Sequence, residues 1–235
     1  VGPTWAISLD GPTSVALSNI SDGTITLTNV ATANISGFIG TSNIGVGVEN
    51  LTLTGAVATS LVSATDLVTA NITGALDTDA TLAKADTAGP AITFNSQDLT
   101  TATVGGVVAS VNATSQANLE SLTVTADFNG GALTVATNND LVTLVTAGAK
   151  IGNVTVTGNT DLEIVAFTHT TDLAPATTTP VAAADKGATV TITGNTNMSS
   201  LTWSADDVDS LTLTGNSQLE TIDFTGLADG GTATA

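Results

Sequence analysis

The sequence predicts an all-β fold: a β-solenoid (parallel β-helix-like) whose coils are about 21 residues long and carry two short strands each. Three observations carry that prediction. A phrase of the form Val-Thr-Val-Thr-Gly-Asn returns at a fixed interval. Apolar and threonine residues alternate strictly within it. The interior must also be filled by small β-branched residues, because aromatics make up 3% of the chain and tyrosine is absent.

The repeat is clearest in a region spanning 106–235. Val154–Leu162 is echoed by Val190–Met198 and Leu211–Leu219, and more weakly by Leu133–Leu141. The starts at 133 and 154, and at 190 and 211, are 21 residues apart, whereas 154 and 190 are 36 apart. A loop insertion at 168–187, with Pro175 and Pro180 among Thr and Ala, accounts for the difference. Leu122–Thr125, Leu144–Thr146, Ile164–Phe167, Leu201–Trp203 and Ile222–Phe224 read as the second strand of each coil. In Val154-Thr155-Val156-Thr157 the valines share one face and the threonines the other, the period-two signature of a strand. Gly158, Gly194 and Gly215 follow, where the chain turns. Stacked coils place Asn138, Asn159, Asn195 and Asn216 in one turn as a structural ladder, their amides bonding turn backbone and one another.

Residues 1–105 are less regular. Ile25–Thr28, Leu51–Gly55, Asn71–Gly74 and Ile92–Phe94 read as degenerate copies, so the solenoid runs through this region or the region forms a separate β domain. Thr78–Asp86 is compatible with one short helix. An antiparallel β-sandwich remains the rival fold, because strands every ten residues also fit it. A sandwich gives no reason for Gly-Asn to return every 21 residues.

Composition narrows function. Three Lys, no Arg and 21 acidic residues give a net charge of −18, which repels nucleic acid and anionic membranes and attracts cations. With 42% hydrophobic and 10% charged residues, the chain has enough apolar surface to fold. There is no cysteine, which removes disulfides, thiol catalysis and cysteine metal sites. No apolar run is long enough to span a membrane. A start at Val1 without Met is expected of a trimmed, exported product.

No catalytic constellation is present, so the chain is not expected to be an enzyme. His169 is the sole histidine and lies in the Thr-rich segment, where it reads as a surface residue. Gly130-Gly131 and Gly230-Gly231 read as turns. The densest acidic cluster, Asp206, Asp207 and Asp209, is the candidate site for calcium, a cation that takes six to eight oxygens. Thr155, Thr157, Thr191, Thr193, Thr212 and Thr214 form two outward columns if coils stack directly. An ice-binding Thr-x-Thr face is therefore an alternative reading, although Ala136 breaks one column.

The mix of Thr, Ala, Val, Gly and Asp, with almost no Lys and with Leu-Thr-Leu-Thr-Gly-Asn repeats, resembles bacterial surface-layer and related cell-surface proteins. The likeness is strongest to acidic surface-layer proteins of marine Gram-negative bacteria, and large adhesins share it. The resemblance implies a secreted, structural protein of the cell surface that self-assembles into a lattice or filament, often with calcium. An adhesin stalk or carbohydrate-binding module, with cell-surface polysaccharide as partner, is the alternative.

Overall fold

The chain is a β-solenoid in the computed structural model, which describes residues 5–19, 21–36, 39–54, 58–60, 64–73, 91–128, 131–149, 151–170 and 188–234. The helix expected at Thr78–Asp86 and most of the loop insertion at 168–187 lie outside these residues. The described residues hold no helix. The first strands are β1 (Trp5–Asp10), β2 (Ser14–Ser18), β3 (Ser21–Thr28), β4 (Thr32–Ser36), β5 (Ile39–Ile44), β6 (Asn50–Thr54), β7 (Ala58–Ser60) and β8 (Thr69–Thr73). They are followed by β9 (Ala91–Thr93), β10 (Thr101–Val107), β11 (Ser110–Thr114), β12 (Ser121–Asp127), β13 (Ala132–Ala136), β14 (Thr143–Ala149), β15 (Asn153–Thr157) and β16 (Ile164–Thr170). The last are β17 (Ala188–Thr193), β18 (Ser200–Thr214) and β19 (Thr221–Thr234).

Each coil gives one strand to each of two faces. The even-numbered strands stack in order from β2 to β18 on one face, which we call face B. On face A, β1, β3, β5 and β7 form one sheet, β9 contacts β7, and β9, β11, β13, β15 and β17 continue in order. The long β18 turns the corner between faces: Ser200–Ser204 pairs with β16 and Ser210–Thr214 with β17. Pairing is parallel throughout, as in Val154 beside Val190 and Val190 beside Leu211. Parallel pairing excludes the antiparallel sandwich.

Alternation decides which side chains meet. On face A the inward columns are Ile92, Val111, Leu133, Val154, Val190, Leu211 and, two residues on, Ala113, Val135, Val156, Ile192, Leu213. All are buried. On face B, Leu122, Leu144, Val165 and Leu201 form one column, while Val124, Thr146, Phe167, Trp203 and Phe224 form another. Three aromatics stack there, Phe167 on Trp203 at 4.5 Å and Trp203 on Phe224 at 5.7 Å between ring centroids. Stacking adds to the apolar burial that holds each coil to the next.

The first half is irregular in sequence because its first coils are shorter and a later one, from Thr69 to its partner Thr101, is longer. Partners on neighbouring coils are 18 residues apart at Asp10 and Thr28, but 21 apart at Asn138 and Asn159. The difference lies in one turn: residues 29–31 join Thr28 to Thr32, whereas 158–163 join Thr157 to Ile164. The phrases taken as copies of one strand in this half also alternate between faces. Ile25 lies on face A, Leu51 and Ile72 on face B, and Ile92 on face A, so the partner following Ile72 is Val104 and not a residue of Ile92–Phe94. Face B runs from β2 to β18 without interruption near residue 105.

Coils approach so closely at some turns that a side chain has no room. A Cβ on Gly131 would fall on the carbonyl oxygen of Ala109 in the preceding coil. The Gly131 amide also donates to the Phe128 carbonyl (2.8 Å), and its own carbonyl accepts from Gly152 (2.8 Å), so the backbone cannot drift. Gly131→Ala is expected to cost roughly 2 kcal/mol, read as a lower urea midpoint with an unchanged β circular dichroism spectrum.

Candidate functional site

The turn that follows each face A strand is the most elaborated part of the molecule. The strand ladder ends there, and turn amides lose the carbonyl partners they would have in a sheet. Positive φ at Gly158, Gly194 and Gly215 (64°, 67° and 68°) swings the next residue's side chain inward. Ser115 and Thr137 hold the same position with φ 58° and 53°. The inward residues are the predicted asparagines. The backbone N–H of Asn138 donates to Oδ1 of Asn159 (3.0 Å), that of Asn159 to Oδ1 of Asn195 (3.0 Å), and that of Asn195 to Oδ1 of Asn216 (3.0 Å).

The amide of Asn195 is used fully. Oδ1 of Asn195 accepts from both the N–H and the Nδ2 of Asn159, each at 3.0 Å. Its Nδ2 donates to the Val156 carbonyl (3.0 Å) and to Oδ1 of Asn216 (3.2 Å). Two acceptor and two donor positions are thereby satisfied in a side chain with no exposure to water. The ladder is longer than the asparagine pattern indicated. Gln116 accepts from the N–H of Ser96 (3.0 Å) and donates to the Phe94 and Thr114 carbonyls (3.2 and 2.7 Å). Its own N–H donates to Oδ1 of Asn138 (2.8 Å). The signal was the spacing: Ser96 and Gln116 precede Leu99 and Leu119 by three residues, as Asn159 precedes Leu162.

Outside this buried ladder the same turn carries a line of carboxylates. Asp98, Asp140 and Asp161 stand two residues beyond the ladder position and are exposed, with half-buried Asp66 in the same place. Two residues further stand Glu49, Glu120, Glu163 and Glu220, all exposed. Backbone bonds link these positions from coil to coil, for example Glu220 to Ser199 and Ser199 to Glu163. Sequence reading missed this edge, because its members are about a coil apart along the chain and become neighbours only on stacking. Among the described residues no three Asp, Glu or His side chains converge as a metal cage would require.

Asp206, Asp207 and Asp209 fall within β18, around the corner between faces, and His169 within β16, beside Gly148 and Ala205 in register. Their side chains lie outside the described residues. The predicted threonine columns are in register: Thr155, Thr191 and Thr212 stack, as do Thr157, Thr193 and Thr214. Thr214 is exposed and the other five are half-buried. Asn112 and Thr134 extend the first column, whereas Ala136 interrupts the second. Of the described side chains within strands, only Asp10, Asp127 and Asp223 ionise. Asp10 accepts from Nδ2 of Asn29 (2.7 Å) and Oγ1 of Thr28 (3.0 Å), bonds that hold its carboxyl below the usual range.

Among the described side chains, both broad faces are thus dominated by Thr, Ser, Asn and Ala, with negative charge gathered along a turn edge. No helix of the described residues is long and apolar enough to cross a membrane. Comparison with protein-family models, with curated proteins and with solved structures gave no match.

Proposed function

We propose that the chain is a structural, non-enzymatic module of the bacterial cell surface that self-assembles into a layer or filament. The observation that carries this reading is the separation of charge from sheet. Faces whose described side chains are nearly all uncharged allow close approach between molecules, while acidic edges keep single molecules apart in solution. Repulsion between such edges is screened beyond about 8 Å at physiological ionic strength, so closer contacts need bound cations. Calcium is the proposed cation, with Asp206, Asp207 and Asp209 as its candidate ligands. An adhesin or polysaccharide-binding role, and ice binding by the threonine columns, rank behind because the columns are short and Ala136 breaks one of them.

Negative-stain images of the purified chain with millimolar calcium, and again after chelation, test the proposal. Ordered arrays or filaments are expected with calcium, dispersing on chelation into folded units with an unchanged β signal. A chain that stays monodisperse in both conditions across a wide concentration range rules the reading out.

A further inference from the structure

One spot in the middle of face B departs from the polar pattern around it. An outward column runs in register from Ser14 on β2 to Thr221 on β19. Every residue of that column is Ser, Thr or Asn except Ile164. Ile164 is 46% exposed, so the core does not account for it. Its neighbours enlarge the spot. The carbonyl of Val142, itself 37% exposed, accepts from the Ile164 amide (3.2 Å). Two residues along β16, Ala166 sits in register with half-buried Val145 of β14. Val46 and Ile222 are the other exposed large hydrophobic residues described, and no such bond joins them.

The border of this spot is acidic. Val142 lies between Glu120 and Glu163 along the turn edge: its N–H donates to the Glu120 carbonyl and its carbonyl accepts from the Glu163 amide, each at 3.0 Å. Asp140 and Asp161 stand two residues before Val142 and Glu163. All four carboxylates are exposed, and the described residues include no Lys or Arg. An occupant that covers Ile164 must therefore bring an apolar group and positive charge together. A second copy of this chain brings its own acidic edge and a net charge of −18, and an anionic membrane is repelled in the same way.

We propose that Val142 and Ile164, with the carboxylates beside them, dock a basic segment of another protein. The fitting segment carries Lys or Arg on both sides of a large apolar side chain. Covering the exposed apolar surface supplies affinity, and the carboxylates set the choice of partner and the rate of encounter. This contact does not depend on self-assembly of the chain.

The test uses the full chain and a dye-labelled peptide of alternating Lys and Leu, followed by fluorescence anisotropy at physiological salt. Ile164→Thr, which restores the residue type of its column, and Val142→Thr are each checked for fold by circular dichroism. Each is expected to weaken binding roughly fivefold to tenfold, as losing part of one buried apolar side chain implies. Val142→Thr carries the test alone if Ile164→Thr does not fold. Val46→Thr, exposed on another coil, is expected to leave binding unchanged. The double variant Asp140→Asn, Glu163→Gln is expected to weaken binding and to flatten its dependence on salt. A wild type that binds no peptide, or Thr variants that bind as well as wild type, would overturn the proposal. Equal binding of oligolysine would reduce the contact to net charge, and equal binding of a Glu-Leu peptide would reduce it to apolar cover; either result overturns it as well. Sedimentation velocity supplies the remaining arm. If Ile164→Thr abolishes association between copies and leaves peptide binding intact, the occupant is a second copy and not a basic segment.

Discussion

Val190→Asp is expected to abolish folding of the C-terminal coils. Val190 is fully buried on face A, paired with Val154 on one side and Leu211 on the other. An aspartate there puts a carboxylate between apolar side chains with no cation within the column. The effective penalty for an unpaired buried ion is several kcal/mol, here roughly 5 kcal/mol, comparable with the whole stability of an ordinary domain. One residue along, Thr191 points outward and is half-buried. Thr191→Asp is therefore expected to cost less than about 1 kcal/mol. Circular dichroism and urea denaturation of the pair read the parity of the strand directly. Equal losses in the two variants would mean that inward and outward positions are not distinguished as described.

Asn195→Ala carries the second-largest expected effect. The change removes the acceptor of two donors on Asn159 and the donor that serves the Val156 carbonyl and Asn216. These groups are buried, and each one left unpaired costs about 1–3 kcal/mol, so a loss of roughly 3–5 kcal/mol is expected. Asn216→Ala also deprives two donors, those of Asn195, but at the half-buried end of the ladder, where water can replace the missing oxygen. Its cost is expected to be about half as large. Amide hydrogen exchange separates the two: the Asn159 amide should lose protection in the first variant and keep it in the second. Equal costs would locate the stability of the turn in its backbone geometry instead of its amides.

The coils were legible where the sequence repeated a chemistry and not merely a shape. Asn159, Asn195 and Asn216 stand out because each turn needs an inward amide, and only a few residue types supply one. Gln116 and Ser96 meet the same need with different side chains, so identity hid them while their spacing to Leu119 and Leu99 did not. In the first half the turn at Asn29 fills the inward place with the apolar, fully buried Val30 instead of an amide, and fewer residues follow it before the next strand. The period shortens and the two faces fall out of phase with a 21-residue ruler, which is why Leu51 and Ile92 were read as equivalent although they lie on opposite faces. The acidic turn edge went unread for a related reason. Density along the chain singles out Asp206, Asp207 and Asp209, whereas in a stack charge also gathers across coils, as at Asp140 and Asp161.

The pairing of each strand with the coil just before it also governs how the chain reaches this state. Parallel strands usually require long crossovers, and all-β folds dominated by distant pairings are slow to form. In this chain a strand meets one made about 21 residues earlier, which for 235 residues is a relative separation of about 0.09 (21/235), a value typical of helical bundles. Any two adjacent coils can nucleate, and growth then proceeds from both sides without waiting for the rest of the chain. Such a molecule is suited to folding progressively from one end, each new coil templated by the one before it.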